Sequence, residues 1–169
     1  SSDLEQIAAD LRTSTQAAKE AEGTALVVTG LTIDGRLTTS GRLLGKLQNM
    51  IQKWVVGQGL KIRPGGLDRG QVEAILAGDK TAAQQAASSK GAGMLVVIDL
   101  KCDHGSEIYG QYFSHAEGGL RLIRTRDGRE LYTTELPRLK EGHISRPKAN
   151  EKVLMVLLKK NVKPAVQAA

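Results

Sequence analysis

The stretch that most narrows the fold runs from Thr81 to Leu136. An alanine-rich helical segment ends at Gly91-Ala92-Gly93, and Met94-Leu95-Val96-Val97-Ile98 follows without a polar break. A short apolar run bounded by glycine reads as a buried strand. A hairpin and a long strand come next, and the strand ends at Arg126-Asp127-Gly128-Arg129, where Asp-Gly marks a tight reversal. This order builds one side of a sheet with a helix packed on it. It sets no catalytic group at the strand ends, so the stretch points to binding or assembly.

The rest of the chain is read outward from there. Leu4, Ile7, Ala8, Leu11 and Ala18 recur at helical spacing between Asp3 and Gly23, which predicts a helix over 3–22. Ala25-Leu26-Val27-Val28 reads as a buried strand, and Leu31 to Thr39 as its extension or as a loop. The stripe Leu43, Leu44, Leu47, Met50, Ile51, Trp54 and Val55 predicts an amphipathic helix. Ser40 stands where its N-cap belongs, and Gly57 or Gly59 where it stops. Leu60-Lys61-Ile62-Arg63 alternates as a strand and is closed by Pro64-Gly65-Gly66. Asp68 predicts a short helix through Ala77, and Asp79 another through Lys90. Strands are expected over Met94–Asp103, Tyr109–Arg124 and Glu130–Leu136. The run Val153–Leu158 suits strand or buried helix; Pro147 before it and Lys159-Lys160 after it favour helix.

The fold class is therefore α/β, in the α+β sense: a mixed sheet of about five strands with helices packed on it, its last three strands antiparallel. The expected organisation is an N-terminal helix over 1–23 and a single α/β domain over 24–169. With 3% aromatic residues, aliphatic side chains and alanine must fill the core. No apolar run approaches the roughly 18 residues of a membrane-spanning helix. Ser1-Ser2-Asp3 carries neither the basic start nor the apolar segment of a signal peptide, which leaves the compartment open.

Charge is unevenly placed. Residues 1–135 hold 16 Lys/Arg against 16 Asp/Glu, and residues 136–169 hold eight against two, the whole excess of +6. A basic final segment suits an acidic protein face, anionic head groups or nucleic acid, although a solvated surface is the simpler reading of it. Its candidate contact residues are Arg138, Lys140, Arg146, Lys148 and Lys152. Tyr109, Tyr112 and Phe113 hold three of the five aromatic rings and join them as candidates: the favoured reading has them cover the end of an alanine-rich core or form a hairpin contact with a protein, and the other makes them a base-stacking platform.

Motifs for chemistry are sparse. Gly41-Arg42-Leu43-Leu44-Gly45-Lys46-Leu47 has one residue too few between its glycines for a phosphate loop, and Leu47 replaces the hydroxyl. No nucleophile elbow, zinc helix or dinucleotide fingerprint is present. Cys102 is the lone cysteine, so no internal disulfide forms. Cys102, His104 and His115 would need a fourth ligand to hold a metal. A turn around 105–110 also sets His104 near Gln111 and leaves His115 two rungs away. No catalytic residue, metal site or cofactor is expected, and the chain reads as non-enzymatic.

Gly59-Leu60-Lys61-Ile62-Arg63, the helices after Asp68 and Asp79, Gly91-Ala92-Gly93-Met94-Leu95-Val96-Val97 and Leu120 through Glu130 together resemble a family of bacterial envelope proteins. That family includes the curli secretion channel subunit, the lipoprotein activators of penicillin-binding proteins, and the middle domain of the flagellar T-ring assembly protein. The resemblance covers residues 24–163. Gly93 stands where the family has Asp, and the short charged hairpins lack room for the lipid-facing strands of a pore-forming member. The resemblance implies an assembly, scaffold or regulatory module, periplasmic or outer-membrane-associated, that binds an envelope protein and allows a homo-oligomer. A nucleic-acid-binding module using the basic segment and the aromatic hairpin is the alternative.

Overall fold

The computed structural model of the protein describes residues 5, 6, 8, 9, 22–63 and 66–168. Residues 5, 6, 8, 9 and 22 are helical; the remainder of the helix expected over 3–22, and the Pro64-Gly65 closure, lie outside the described residues. The elements that follow are β1 (Thr24–Ile33), β2 (Arg36–Thr38), α1 (Arg42–Val56), β3 (Lys61–Arg63), α2 (Arg69–Leu76) and α3 (Lys80–Ser89). Then come β4 (Met94–Ile108), β5 (Gln111–Arg124), β6 (Glu130–His143), α4 (Arg146–Leu157), a π-helical turn (Leu158–Val162) and α5 (Lys163–Ala168).

The sheet is mixed, as the sequence implies, in the order β2-β1-β4-β5-β6, with β3 also pairing β1. β1 runs parallel to β3 and β4, whereas β4, β5 and β6 are antiparallel. Among the described residues it has six strands, where about five were expected. The open question at Leu31–Thr39 resolves as both alternatives: β1 continues to Ile33, Asp34-Gly35 reverses it with φ of 48° and 81°, and β2 pairs back.

Helices cover the two faces unequally. On one face α1 buries Leu44, Leu47, Ile51 and Val55, spaced to form a single stripe. α4 adds Val153, Leu154 and Leu157 to the same core, against Ile98, Leu100, Cys102 and Leu120 of the strands. Each fully buried leucine here contributes about 2 kcal/mol through its burial. On the other face α2 and α3 bring Ile75, Ala83, Ala86 and Ala87 onto Leu26, Val28, Leu95, Val97 and Ile123. Alanines let α3 lie close to the sheet.

Four expectations need correction. Ser40 does not cap α1: Gly41 is the N-cap, at φ 116°, with no side-chain hydrogen bond, a conformation that favours glycine. The β4–β5 turn is not centred at 105–110. A bulge between His104 and Glu107 carries β4 on to Ile108, and Tyr109-Gly110 makes the reversal with φ of 51° and 77°. Tyr109 is therefore a turn residue, and His104 stands opposite Ser114 while His115 stands opposite Asp103. β6 runs seven residues past Leu136 to His143, because a bulge between Ala116 and Gly118 absorbs Pro137 and lets pairing resume at Leu139.

Asp68 and Asp79 cap α2 and α3 as read, and Asp68 with Gln71 forms a full capping box. Val153–Leu158 is helical, ending in the π turn. Pro164 accounts for that turn. It has no N–H for the carbonyl four residues back, and the wider helix accommodates it.

Candidate interaction surface

Side chains alternate along β4, and the alternation changes character halfway. Leu95 and Val97 face α2 and α3. The next residues on that face are Asp99, Lys101 and Asp103. Across β5 the same rows hold Gly119, Glu117 and His115, with Phe113 beyond. On the reverse face the pattern stays apolar, with Leu100, Cys102, Ala116 and Leu136 buried under α4. The outer half of β4-β5-β6 thus has helical cover on one side. Its other side is bare of helices among the described residues.

The bare face is charged in alternating sign. Lys101 stands opposite Glu117, and Arg138 Nη1 lies 3.3 Å from Glu117. Arg121 borders the covered half: Nη2 donates to the Ile75 carbonyl at 2.6 Å, and Nη1 lies 3.8 Å from Glu130. Burial raises the Asp99 carboxyl above its ordinary range, while Lys101 and Arg121 pull it back. Farther out, Lys140 Nζ sits 4.8 Å from the Phe113 ring centroid, a cation–π contact. The ring can lie flat because Gly142 is opposite; a Cβ there would come within 2.7 Å of it. Tyr109 projects fully exposed from the turn, beside the half-exposed Ile108.

The candidate residues read from sequence divide between two sides. Phe113, Arg138 and Lys140 share the bare face, and Tyr109 stands at its tip. Tyr112, one residue from Phe113, points to the opposite face and pairs with His143. Arg146, Lys148 and Lys152 belong to α4 or its first turn, on the covered side. There Lys148 and Lys152 line a cleft of about 430 Å³ with Lys46, His143 and Glu151. Lys46 Nζ is 2.6 Å from Glu151, and Lys152 Nζ donates to the Gly142 carbonyl at 3.2 Å. His143 Nδ1 accepts the Ile144 N–H at 2.8 Å. The three rings do not form one platform, and the basic segment does not form one patch.

Sequence reasoning missed Lys46, because nothing local ties it to a glutamate 105 positions away. It also missed Asp34, which clips the β1–β2 turn to β4. Asp34 N–H donates to the Cys102 carbonyl at 2.9 Å, and its Oδ1 accepts the His104 N–H at 2.9 Å. Cys102 itself is buried, and burial first, then Asp34 and Asp103, pushes its thiol up to about 12. Such a thiol is a small core residue with little nucleophilic or ligand character. No three His, Cys, Asp or Glu side chains among the described residues converge as a metal set. No helix among them is long and apolar enough to cross a membrane.

No protein-family model matches the sequence, and no curated protein matches it. In structure the chain is similar to the lipoprotein GNA1162 from Neisseria meningitidis, with a TM-score of 0.52 at 12% identity, over 83% of this chain and 98% of that one. It is also similar to the protein CT253 from Chlamydia trachomatis, with a TM-score of 0.47 at 9% identity, over 88% and 100%. For the LpoB C-terminal domain from Salmonella enterica the TM-score is 0.38 at 10% identity, over 70% and 84%. The likeness to GNA1162 is one of fold: the chain is built as a bacterial lipoprotein of known structure is built.

Proposed function

We propose that this chain is a non-enzymatic assembly or regulatory module that binds a protein partner in the bacterial cell envelope. The observation that carries the reading is the outer half of the sheet, one face of which carries no helix among the described residues. A three-strand platform, backed by α4, presents rows of opposite charge, a Phe113–Lys140 stack and an exposed tyrosine tip. Charges alternating over a flat face select a complementary protein surface and steer its approach. An exposed tyrosine is the kind of anchor that protein interfaces favour. The shared lipoprotein fold and the motifs of the envelope assembly family support a periplasmic or outer-membrane-associated setting, with residues 24–169 acting as one α/β domain. A homo-oligomer is compatible with this reading. The nucleic-acid alternative requires Tyr109, Tyr112 and Phe113 on one stacking surface beside the lysines, and their separation weighs against it.

The test is photo-crosslinking in the source cells, with the reactive residue at Tyr109 or Lys140, followed by osmotic-shock and membrane fractionation. The expected result is a discrete protein adduct in the periplasmic or outer-membrane fraction. The double variant Arg138→Glu/Lys140→Glu should weaken it at least tenfold. Lys148→Glu/Lys152→Glu, on the far side, asks separately whether the α4 cleft takes part. Recovery of the protein in the cytosol alone, with binding to nucleic acid that falls steeply with salt, would overturn the proposal.

A further inference from the structure

β6 closes one edge of the sheet, and no strand lies beyond it among the described residues. At the opposite side the edge strands β2 and β3 are three residues each, whereas β6 runs for 14. The direction of its main chain follows from the β5–β6 turn. The Arg124 N–H donates to the Arg129 carbonyl at 2.9 Å, so Arg124 turns its main chain toward β6. Main-chain groups change sides at each residue of a strand, so Leu122 and Leu120 also face β6, and their opposites Tyr132 and Thr134 face back. Thr133 and Glu135 therefore point their N–H and C=O groups out of the sheet. Among the described residues the one contact these four groups make is at the Glu135 carbonyl, which accepts the Thr134 hydroxyl at 3.5 Å.

Proteins blunt such edges with proline, lysine and bulges. β6 does so beyond Leu136, where Pro137 lies in a bulge and Arg138 and Lys140 follow. Residues 132–136, between that bulge and the one at Leu131, carry none of these devices. Apolar surface borders them on the covered face: Tyr132 and Leu139 of β6 and Met155 of α4 pack on the core yet stay half-buried. An unpaired main-chain edge is complemented by another main chain, which supplies donors and acceptors at the strand's own spacing. We propose that this edge receives an extended strand of the protein partner, which becomes the seventh of the sheet. Glu135 has no ion pair among the described residues, so the incoming strand sets a basic side chain opposite it. A second copy paired antiparallel over the same residues would set Leu131, Thr133 or another Glu135 there instead. This mode of binding rests on the protein-partner reading above and adds a main-chain contact to it.

The test uses the photo-crosslink from Lys140 in the source cells. Thr133→Pro deletes one outward N–H and leaves the pairing with β5 in place, so it should cut the adduct about tenfold at an unchanged urea midpoint. Thr133→Val keeps the N–H and should keep the adduct. An adduct that survives Thr133→Pro overturns the added strand and leaves the protein-binding surface standing, whereas no adduct from the unsubstituted chain overturns both. Amide exchange on the unsubstituted chain, in purified complex with the crosslinked protein, decides the matter even where the proline variant does not fold. The Thr133 and Glu135 amides should slow about a hundredfold relative to the free chain, and exchange as fast as in the free chain overturns the proposal. Protection in the free chain that grows with its concentration, together with a dimer mass, assigns the edge to a second copy and overturns it too.

Discussion

Gly118 shows how tightly the sheet is set at the level of one residue. A Cβ added there would lie 1.9 Å from the Asp99 carbonyl oxygen, inside main-chain atoms that have no rotamer to yield. Gly118→Ala is expected to cost about 3 kcal/mol, read as a lower urea midpoint with an unchanged slope. Gly119→Ala, one residue on, meets only the Thr134 carbonyl at 3.6 Å and is the matched control. Cys102 gives a second prediction. Its thiol is pushed from an ordinary 9.0 to about 12, so between those values the unfolded chain loses a proton that the folded chain keeps. Stability from this group is complete below pH 9.0 and is lost as pH rises toward 12. A thiol reagent at pH 8 should accordingly leave native protein unlabelled and react fully in urea; rapid native labelling would contradict the burial.

Elements are held by local devices that a variant can remove one at a time. Asp68 Oδ1 accepts the Gln71 N–H at 2.8 Å, and Gln71 answers by accepting the Asp68 N–H at 3.0 Å. Asp68→Ala should cost about 1 kcal/mol, measurable by thermal unfolding. At the β5–β6 turn, Arg124 Nε donates to Asp127 Oδ1 at 3.0 Å, and the Arg129 N–H donates to the same oxygen at 3.2 Å. The Arg124 guanidinium above all holds the Asp127 carboxyl well below its ordinary range. The sign follows from the lowered value. The stability this group contributes is present above the ordinary carboxylate pKa and is lost as pH falls below it. Asp127→Asn should therefore lower stability at neutral pH and flatten the acid limb of the pH profile; parallel profiles for the two proteins would show that the turn is indifferent to the charge.

Across the whole molecule, the two helices on the covered face are joined at the surface by Lys46 and Glu151, whose side chains are 43% and 35% exposed. At that exposure water screens the pair. A double-mutant cycle should find a coupling of about 0.5 kcal/mol, shrinking with added salt. The apolar core beneath, from Leu47 and Ile51 to Leu154 and Leu157, carries the association of α1 with α4.

Much of this architecture was legible in the chain itself. The stripe of α1, the capping aspartates of α2 and α3, the run Met94–Ile98 and the Asp127-Gly128 reversal are local signals, since each depends on neighbours within a few residues. The candidate residues were legible as residue types but not as a surface. Lys140 and Lys148 are close in sequence, yet β6 ends between them and the chain crosses to the other side of the sheet. Tyr112 and Phe113 are adjacent, yet a strand turns adjacent side chains to opposite faces. By itself, then, the sequence determined most of the elements among the described residues, their order and the mixed sheet, because hydrophobic period and capping are short-range. Only the tertiary structure decided the hairpin register and the charged face that no helix among the described residues covers. Those depend on where bulges fall and on how far helices reach across strands, which are set by packing between residues distant in the chain.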